Sequence, residues 1–119
     1  HGYTFGGHPV NCAAGLAGFN ALLDAQLIKD VKAKEQLFHQ HLKHPAIKAV
    51  RSLGLMMAIE LESFAVNKKA IDYCISQGVL TDWVLFAAEC MRIAPPLIIT
   101  EEEIVHACKV ICEGLDRVS

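Results

Sequence analysis

A run of alternating side chains in the middle of the chain constrains the fold more than any other feature. Between residues 55 and 62, large apolar side chains occupy every second position: Leu55, Met57, Ile59 and Leu61. Successive side chains of a strand point to opposite faces, so this pattern predicts a β-strand with one apolar face. An apolar sheet face needs a second layer to cover it, and helices can supply that layer.

Helical patterns stand on both sides of this strand. Pro9 suits the first position of a helix, because its missing N–H costs nothing there, and helical spacing continues to about Leu27. Thr100 and Glu103 form a capping-box pattern at the start of the last helix. The other two predicted helices are residues 30–43 and residues 67–76, the latter with Asn67 as N-cap and Gly78 as C-terminal stop.

The first predicted helix, residues 9–27, is built largely from small residues. Gly15 and Gly18 each cost about 1 kcal/mol of helix propensity relative to alanine. Close packing against a partner would offset that cost, so we expect a neighbour on this helix. Its larger apolar residues share one face: Cys12, Leu16, Phe19, Leu23 and Leu27.

Short strands are also predicted at residues 79–81 and 90–94, and the pattern over residues 83–88 fits a loop or a strand equally well. These elements predict an α+β fold with a small, mainly antiparallel sheet of three to four strands and helices on one face. A chain of 119 residues suits one domain.

The composition argues against several classes of function. The formal net charge of −2 and the absence of a basic stripe argue against nucleic acid, and no apolar run of about 18 residues predicts a membrane helix. Five cysteines, an odd number without a CxxC spacing, predict buried reduced thiols in a cytoplasmic protein rather than disulfides or a zinc site.

Histidines cluster near the end of the second predicted helix. His39, His41 and His44 lack a nearby carboxylate or cysteine at ligand spacing, so we expect a solvated helix end and no metal site. His106 is expected to be structural, and Trp83 to be a buried anchor.

The chain opens with a loop that could receive a phosphate. Thr4 offers a hydroxyl, Gly6 and Gly7 allow close backbone approach, and Pro9 marks a helix N-terminus, where the dipole favours an anion. From the residues alone, a glycine-rich entry to a helix with no ligand is the commoner explanation.

Arg92 is a candidate for binding a carboxylate. Strand alternation places it with Cys90 and Ala94, opposite Met91 and Ile93. The planar guanidinium binds both oxygens of a carboxylate at once. From the residues alone, a structural salt bridge or an edge-strand arginine is the commoner explanation.

Three motifs, taken together, resemble the class III pyridoxal-phosphate aminotransferases. The family carries a His-Gly-x-Thr-[Phe/Tyr]-[Gly/Ser]-Gly-[Asn/His]-Pro stretch, which residues 1–9 match, and an Arg-[Ile/Phe/Leu]-[Ala/Ser/Leu]-Pro-Pro-Leu-x-Ile stretch, which begins here at Arg92. Residues 51–56 resemble the family's Arg-Gly-x-Gly-Leu-Met stretch, with Ser52 in place of the usual glycine.

The resemblance implies the C-terminal small domain of a fold-type I enzyme, with residues 1–8 as an interface loop and residues 9–27 as a helix joining it to a large domain. It implies that Thr4 donates to the phosphate of pyridoxal 5'-phosphate in the other subunit of a homodimer, and that Phe5 is also a cofactor-binding residue. It also implies that Arg92 binds the α-carboxylate of the amino donor or of 2-oxoglutarate. The implied reaction transfers an amino group from an ω-amino or diamino acid, such as ornithine or acetylornithine, to a 2-oxo acid.

None of the eight lysines stands in an apolar context that suits a Schiff base with the cofactor, and no carboxylate is recognised that would pair with the pyridine nitrogen. We therefore assign no catalytic residue, expect the chain to be part of a longer protein, and expect this part alone to be inactive. Two alternatives stay open: another fold-type I enzyme, such as an aminomutase or decarboxylase, and a stand-alone α+β module that binds a small molecule.

Overall fold

A computed structural model describes residues 2–24 and 27–118 of the chain. The chain divides into two compact units, His1–Asp30 and Val31–Ser119. The assignment of residues 1–119 to one C-terminal domain therefore remains a prediction. The elements, in chain order, are α1 (Pro9–Asp24), α2 (Leu27–His41), β1 (Ala49–Leu53), β2 (Met56–Glu60), α3 (Phe64–Ser76), β3 (Asp82–Val84), β4 (Ala87–Ile93) and α4 (Glu101–Asp116).

The four strands form one antiparallel sheet in the order β1-β2-β4-β3. This confirms the predicted α+β fold and the predicted strand at residues 55–61, which contains β2. The strand predicted at residues 90–94 is the second half of β4. A two-residue loop joins β1 to β2, and Gly54 within it has a φ of 62°. A Cβ at Gly54 would lie 2.7 Å from Cγ1 of Val31, so this tight approach requires glycine.

The core lies between the inner sheet face and the helices. Met57 and Ile59 of β2 and Met91 and Ile93 of β4 are buried on this face. The helices contribute the following buried apolar residues: Phe38 of α2, Ala70, Ile71 and Cys74 of α3, and Ile104, Cys108, Ile111 and Leu115 of α4. Helices α2, α3 and α4 therefore cover one face of the sheet, opposite the outer face.

Strand β1 is absent from the sequence prediction. Its alternation is weak, because Ser52 stands on the inner face and Leu53 on the outer face.

The strand predicted at residues 79–81 is wrong. Gly78 has a φ of 84° and ends α3, as predicted, and the backbone N–H of Val79 bonds to the carbonyl of Cys74 at 2.9 Å. Together with the bond from the N–H of Gly78 to the carbonyl of Ile75 at 3.0 Å, this bond forms a Schellman motif, which uses the Val79 N–H that a strand would need.

The start of α3 also differs from the prediction. Ser63, not Asn67, is the N-cap, and its side chain accepts from the backbone N–H of Val66 at 3.4 Å. Asn67 is fully buried inside the helix, where its Nδ2 donates to the carbonyl of Ala88 at 2.8 Å. The capping box predicted for Thr100 and Glu103 is confirmed at the start of α4.

Helix α1 begins at Pro9, as predicted, but it ends at Asp24 rather than near Leu27, which belongs to α2. Helix α2 in turn begins before the predicted Asp30. The larger apolar residues predicted to share a face of α1 are exposed, with Leu16 at 62% and Phe19 at 59%. Within residues 2–24 and 27–118, no helix combines the length and the apolar character that a membrane span needs.

Three of the five thiols are buried, as predicted: Cys74, Cys90 and Cys108. Cys112 is half-buried and Cys12 is exposed, so the prediction of buried thiols is wrong for these two. Burial raises the pKa of the Cys74 thiol to about 11 and that of the Cys108 thiol to about 12. Both groups are therefore protonated at neutral pH.

Candidate functional site

The loop before α1 forms a tight, exposed turn. The backbone N–H of Gly6 donates to the carbonyl of Tyr3 at 3.0 Å, and that of His8 donates to the carbonyl of Phe5 at 3.2 Å. Gly7 has a φ of 75°, which favours glycine at this position. Thr4 and Phe5 are both exposed on the turn.

The turn leads directly into the N-terminus of α1. The N–H of Cys12 bonds to the carbonyl of His8 at 3.0 Å, and the helix begins at Pro9, the last residue of the motif. An exposed threonine hydroxyl and the positive end of a helix dipole each favour a phosphate. The motif position His1 lies outside the described residues.

Arg92 lies on the outer face of β4, opposite the buried side chains of Met91 and Ile93, as the alternation predicts. In the register of the sheet it stands between Ala58 of β2 and Asp82 of β3. Its side chain is 58% exposed, and its Nη2 lies 3.6 Å from Oδ2 of Asp82. This separation is longer than a hydrogen bond, so the two groups form a loose ion pair.

The backbone around Arg92 is held firmly although its side chain is exposed. The Thr81 hydroxyl donates to the carbonyl of Arg92 at 2.6 Å. Arg92 borders a cavity of about 680 Å³ that also contacts Pro95, Pro96 and His106. It borders a second cleft of about 370 Å³ on the outer sheet face, floored by Met56 and Ala58. A guanidinium on an ordered strand beside an apolar cleft can orient a small carboxylate ligand.

Arg51 of β1 lies on the same outer face and borders the smaller cleft. Its Nη2 donates to Oε2 of Glu60. The hydrogen bond and the charge of Glu60 raise the pKa of Arg51, and the Cys90 side chain adds a smaller contribution in the same direction. The sequence pointed to Arg51 only as part of a motif, because β1 itself was not predicted.

The histidine cluster does not form a solvated helix end, and that prediction is wrong for two of its members. Nε2 of His39 lies 2.7 Å from the Ser52 hydroxyl, which donates to Glu35 at 2.5 Å. His44 accepts from the backbone N–H of Ala46 through Nδ1, so its Nε2 donates to Asp116 at 2.9 Å. No group of three metal-ligating side chains occurs among the described residues.

Other predicted roles have mixed outcomes. Trp83 is half-buried rather than fully buried, and its ring packs edge-on against Phe64 with centroids 5.5 Å apart. His106 is exposed on α4 at the larger cavity. Among the lysines, Lys34 and Lys68 are half-buried and the other six are exposed. Lys34 donates to the carbonyl of Leu97 at 2.6 Å, and Lys68 pairs with Asp72.

Thr4 and Phe5 belong to the first compact unit and Arg92 to the second. The turn proposed to bind a phosphate and the arginine proposed to bind a carboxylate are therefore each described within their own unit. Their predicted roles stay predictions.

The sequence matches the family of class III aminotransferases over residues 1–115. The acetylornithine aminotransferase of Caldanaerobacter subterraneus subsp. tengcongensis is 32% identical over 99% of this chain, which covers 30% of that protein. The ornithine aminotransferase of Bordetella pertussis is 36% identical over 91% of this chain, which covers 26% of it. The chain thus spans under a third of the length of these relatives.

Solved structures agree with the sequence match. The ornithine aminotransferase from Toxoplasma gondii, crystallised with partial occupancy of PLP at its active site, superposes with a TM-score of 0.82 at 31% identity, over 99% of this chain and 29% of that one. A thermostable omega transaminase from Pseudomonas jessenii shares the fold with a TM-score of 0.88 at 23% identity, over 100% of this chain and 29% of that one. The chain belongs to the class III aminotransferases, a family whose cofactor is pyridoxal phosphate.

Proposed function

We propose that the chain is part of an aminotransferase that moves an amino group from an ω-amino or diamino acid, of the ornithine or acetylornithine kind, to a 2-oxo acid such as 2-oxoglutarate. The observation that carries the proposal is the placement of Arg92: an exposed, loosely paired guanidinium on an ordered strand beside an apolar cleft. The names of the relatives support the choice of donor.

Arg92 would bind the carboxylate of the donor and, in the second half of the reaction, that of the 2-oxo acid. Its pair with Asp82 is half-exposed on both sides, and such pairs contribute little stability. A substrate carboxylate can therefore take the place of Asp82 at low cost and form two parallel hydrogen bonds with the guanidinium. The hydrogen bond from Thr81 to the strand holds the arginine in position.

Thr4 would donate to the phosphate of pyridoxal phosphate, and Phe5 would contact the cofactor, in the active site of the partner subunit of a homodimer. The exposed turn and the start of α1 fit the phosphate end of the cofactor, since a hydroxyl and a helix N-terminus both favour an anion. Exposed apolar side chains beside the turn, Tyr3 at 79% and Phe5 at 72%, support contact with another surface.

The cofactor, when bound, supplies the electron sink and carries the nitrogen between donor and acceptor. The residues of this chain bind and orient the anionic ends of cofactor and substrate. We assign no catalytic residue, because no lysine here is desolvated as that chemistry requires. We therefore expect these residues alone to be inactive. The buried thiols support the cytoplasmic location that the sequence predicts.

A stand-alone binding module would be expected to cover its own apolar surface. The exposure of Leu16, Phe19 and Leu23 on α1 counts against that alternative. We therefore propose one function only, in the intact enzyme.

The test is a donor screen on the intact enzyme with pyridoxal phosphate and 2-oxoglutarate. Ornithine, acetylornithine, lysine and 4-aminobutyrate are offered in turn, and glutamate formation is measured. We expect Arg92→Gln to raise KM for the donor and the 2-oxo acid about tenfold or more, because a charged bidentate contact is lost. Arg117→Gln, which removes an exposed arginine stacked over Tyr73, serves as the control and should leave both KM values unchanged.

Two results would contradict the proposal. One is the absence of glutamate with every donor, with an isomer or carbon dioxide formed instead, which would indicate an aminomutase or a decarboxylase. The other is an Arg92→Gln enzyme with the same KM values as the Arg117→Gln control.

A further inference from the structure

The larger of the two cavities beside Arg92 extends to the inner side of the sheet, and all of its lining residues belong to the unit Val31–Ser119. Its volume of about 680 Å³ falls within the range of roughly 300–1,000 Å³ that is usual for small-molecule sites. Its deepest lining residues belong to the core, and half-buried apolar residues form its walls. The former are Phe38, Ile93 and Ile111, and the latter include Val79, Pro95 and Ala107.

Hydrogen bonds hold the loop that forms one wall of this cavity, at residues 94–100. The backbone N–H of Ile99 donates to the carbonyl of Pro96 at 3.0 Å, which closes a turn inside the loop. Nζ of Lys34 donates to the carbonyl of Leu97 at 2.6 Å, so the loop is tied to α2. A preformed wall lowers the ordering cost of binding, because the loop does not have to be fixed by the ligand.

The mouth of the cavity carries negative charge. Glu102 and Glu103, on the first turn of α4, both line it and are exposed. The side chain of Glu103 is held by the capping box, where it accepts from the N–H of Thr100 at 2.8 Å. Glu102 has no hydrogen bond or ion pair with any residue that the structure describes. The helix N-terminus offsets about half a unit charge, which is less than two carboxylates carry.

Little positive charge competes for these carboxylates. Of the described lysines and arginines, Arg92 alone lines the cavity, and its guanidinium pairs with Asp82 on the outer sheet face. His106 lies one helical turn after Glu102 and is exposed at the mouth, where it adds a polar edge. An apolar interior with a carboxylate at its rim complements a ligand that has an apolar body and a positively charged head.

We propose that this cavity binds a small apolar cation, with an aromatic or branched alkyl group between α2, α4 and the loop at residues 94–100, and an ammonium group at Glu102. The body of the ligand would remove apolar surface of the walls from water. Its head would stay at the solvated mouth and pair with the carboxylate. The site is separate from the outer sheet face, so the inference does not depend on the proposed function.

The experiment measures equilibrium binding of two probes of similar shape to the intact enzyme with its cofactor. Phenethyltrimethylammonium carries the charge and has no N–H, so it cannot form a Schiff base. Dimethyl phenethyl carbinol has nearly the same shape without the charge, and titration followed by the NMR signals of the probe gives both dissociation constants. We expect the cation to bind about threefold more tightly than the alcohol, because an exposed ion pair contributes only modestly.

Two carboxylates of α4 separate the effect of the site from that of general charge. We expect Glu102→Gln to weaken binding of the cation about threefold and to leave the alcohol unchanged, because only the cation pairs with this carboxylate. Glu101 is also exposed but does not line the cavity, so Glu101→Gln is the matched control and should change neither dissociation constant. Both substitutions are at exposed positions, so the variants should fold normally.

Ala107 tests where the probes bind. Its half-buried side chain lines the cavity, so Ala107→Phe would fill part of the space and should weaken both probes about tenfold or more. Ala107→Ser changes the volume little and is the control, with both probes bound as in the original enzyme.

Three results would overturn the inference. If neither probe binds the intact enzyme, other parts of the enzyme close the cavity. If Ala107→Phe leaves both dissociation constants unchanged, the probes bind elsewhere. If Glu102→Gln changes the two probes equally, or neither of them, the carboxylate does not select a cation. None of these results bears on the donor screen or on Arg92→Gln, so the proposed function is tested independently.

Discussion

At the scale of single residues, Ser52 shows how one departure from the family pattern changes local chemistry. The family has glycine here, whereas the Ser52 hydroxyl donates to Glu35 and lies 2.7 Å from Nε2 of His39, so it ties α2 to β1. We expect Ser52→Ala to destabilise this contact by about 1–2 kcal/mol, because two half-buried polar groups lose a partner. The measurement is amide hydrogen exchange, and the peptides that cover β1 and α2 should exchange faster in the variant than in the original protein. Ser76→Ala, which removes an exposed hydroxyl, is the control, and equal exchange in both variants would contradict the argument.

At the scale of elements, local signals predicted what local physics decides. Pro9, Gly78 and the Thr100–Glu103 box mark helix ends correctly, because caps act within one turn. The positions of the strands depend instead on hydrogen-bonded pairing with neighbouring strands, which is not local in sequence. Strand β1 has weak alternation and is ordered by its register with β2, and β3 is ordered through β4 across an irregularity at Trp83 and Val84. Alternation correctly predicted the sheet face on which Arg92 lies. The positions of Asp82, Ala58 and Arg51 beside it depend on the strand register, which the sequence did not predict.

The C-terminus of α3 gives the prediction that belongs to this scale. Gly78 sits at the C′ position with a φ of 84°, and an added Cβ would meet nothing within 4 Å. We therefore expect Gly78→Ala to cost about 1–2 kcal/mol through backbone conformation alone, without a steric clash. The urea midpoint of the intact protein should fall accordingly. Gly78→Asn, which tolerates this conformation better, should recover part of the loss; an unchanged midpoint for Gly78→Ala would refute the cap.

At the scale of the whole molecule, substitutions of the glycines in α1 test whether the proposed partner subunit packs against that helix. A Cβ at Gly15 or Gly18 would meet nothing within 4 Å in this chain, so helix propensity alone favours alanine by about 1 kcal/mol at each site. In the homodimer that we propose, we expect the opposite sign, because the small-sided helix would pack too closely against its partner to admit a methyl group. The measurements are the helicity of a peptide spanning α1, which should rise in Gly15→Ala, and the melting temperature of the intact enzyme, which should fall. A rise in both would mean that α1 faces open solvent in the assembled protein, and the interface role of the turn at Thr4 would then have no support.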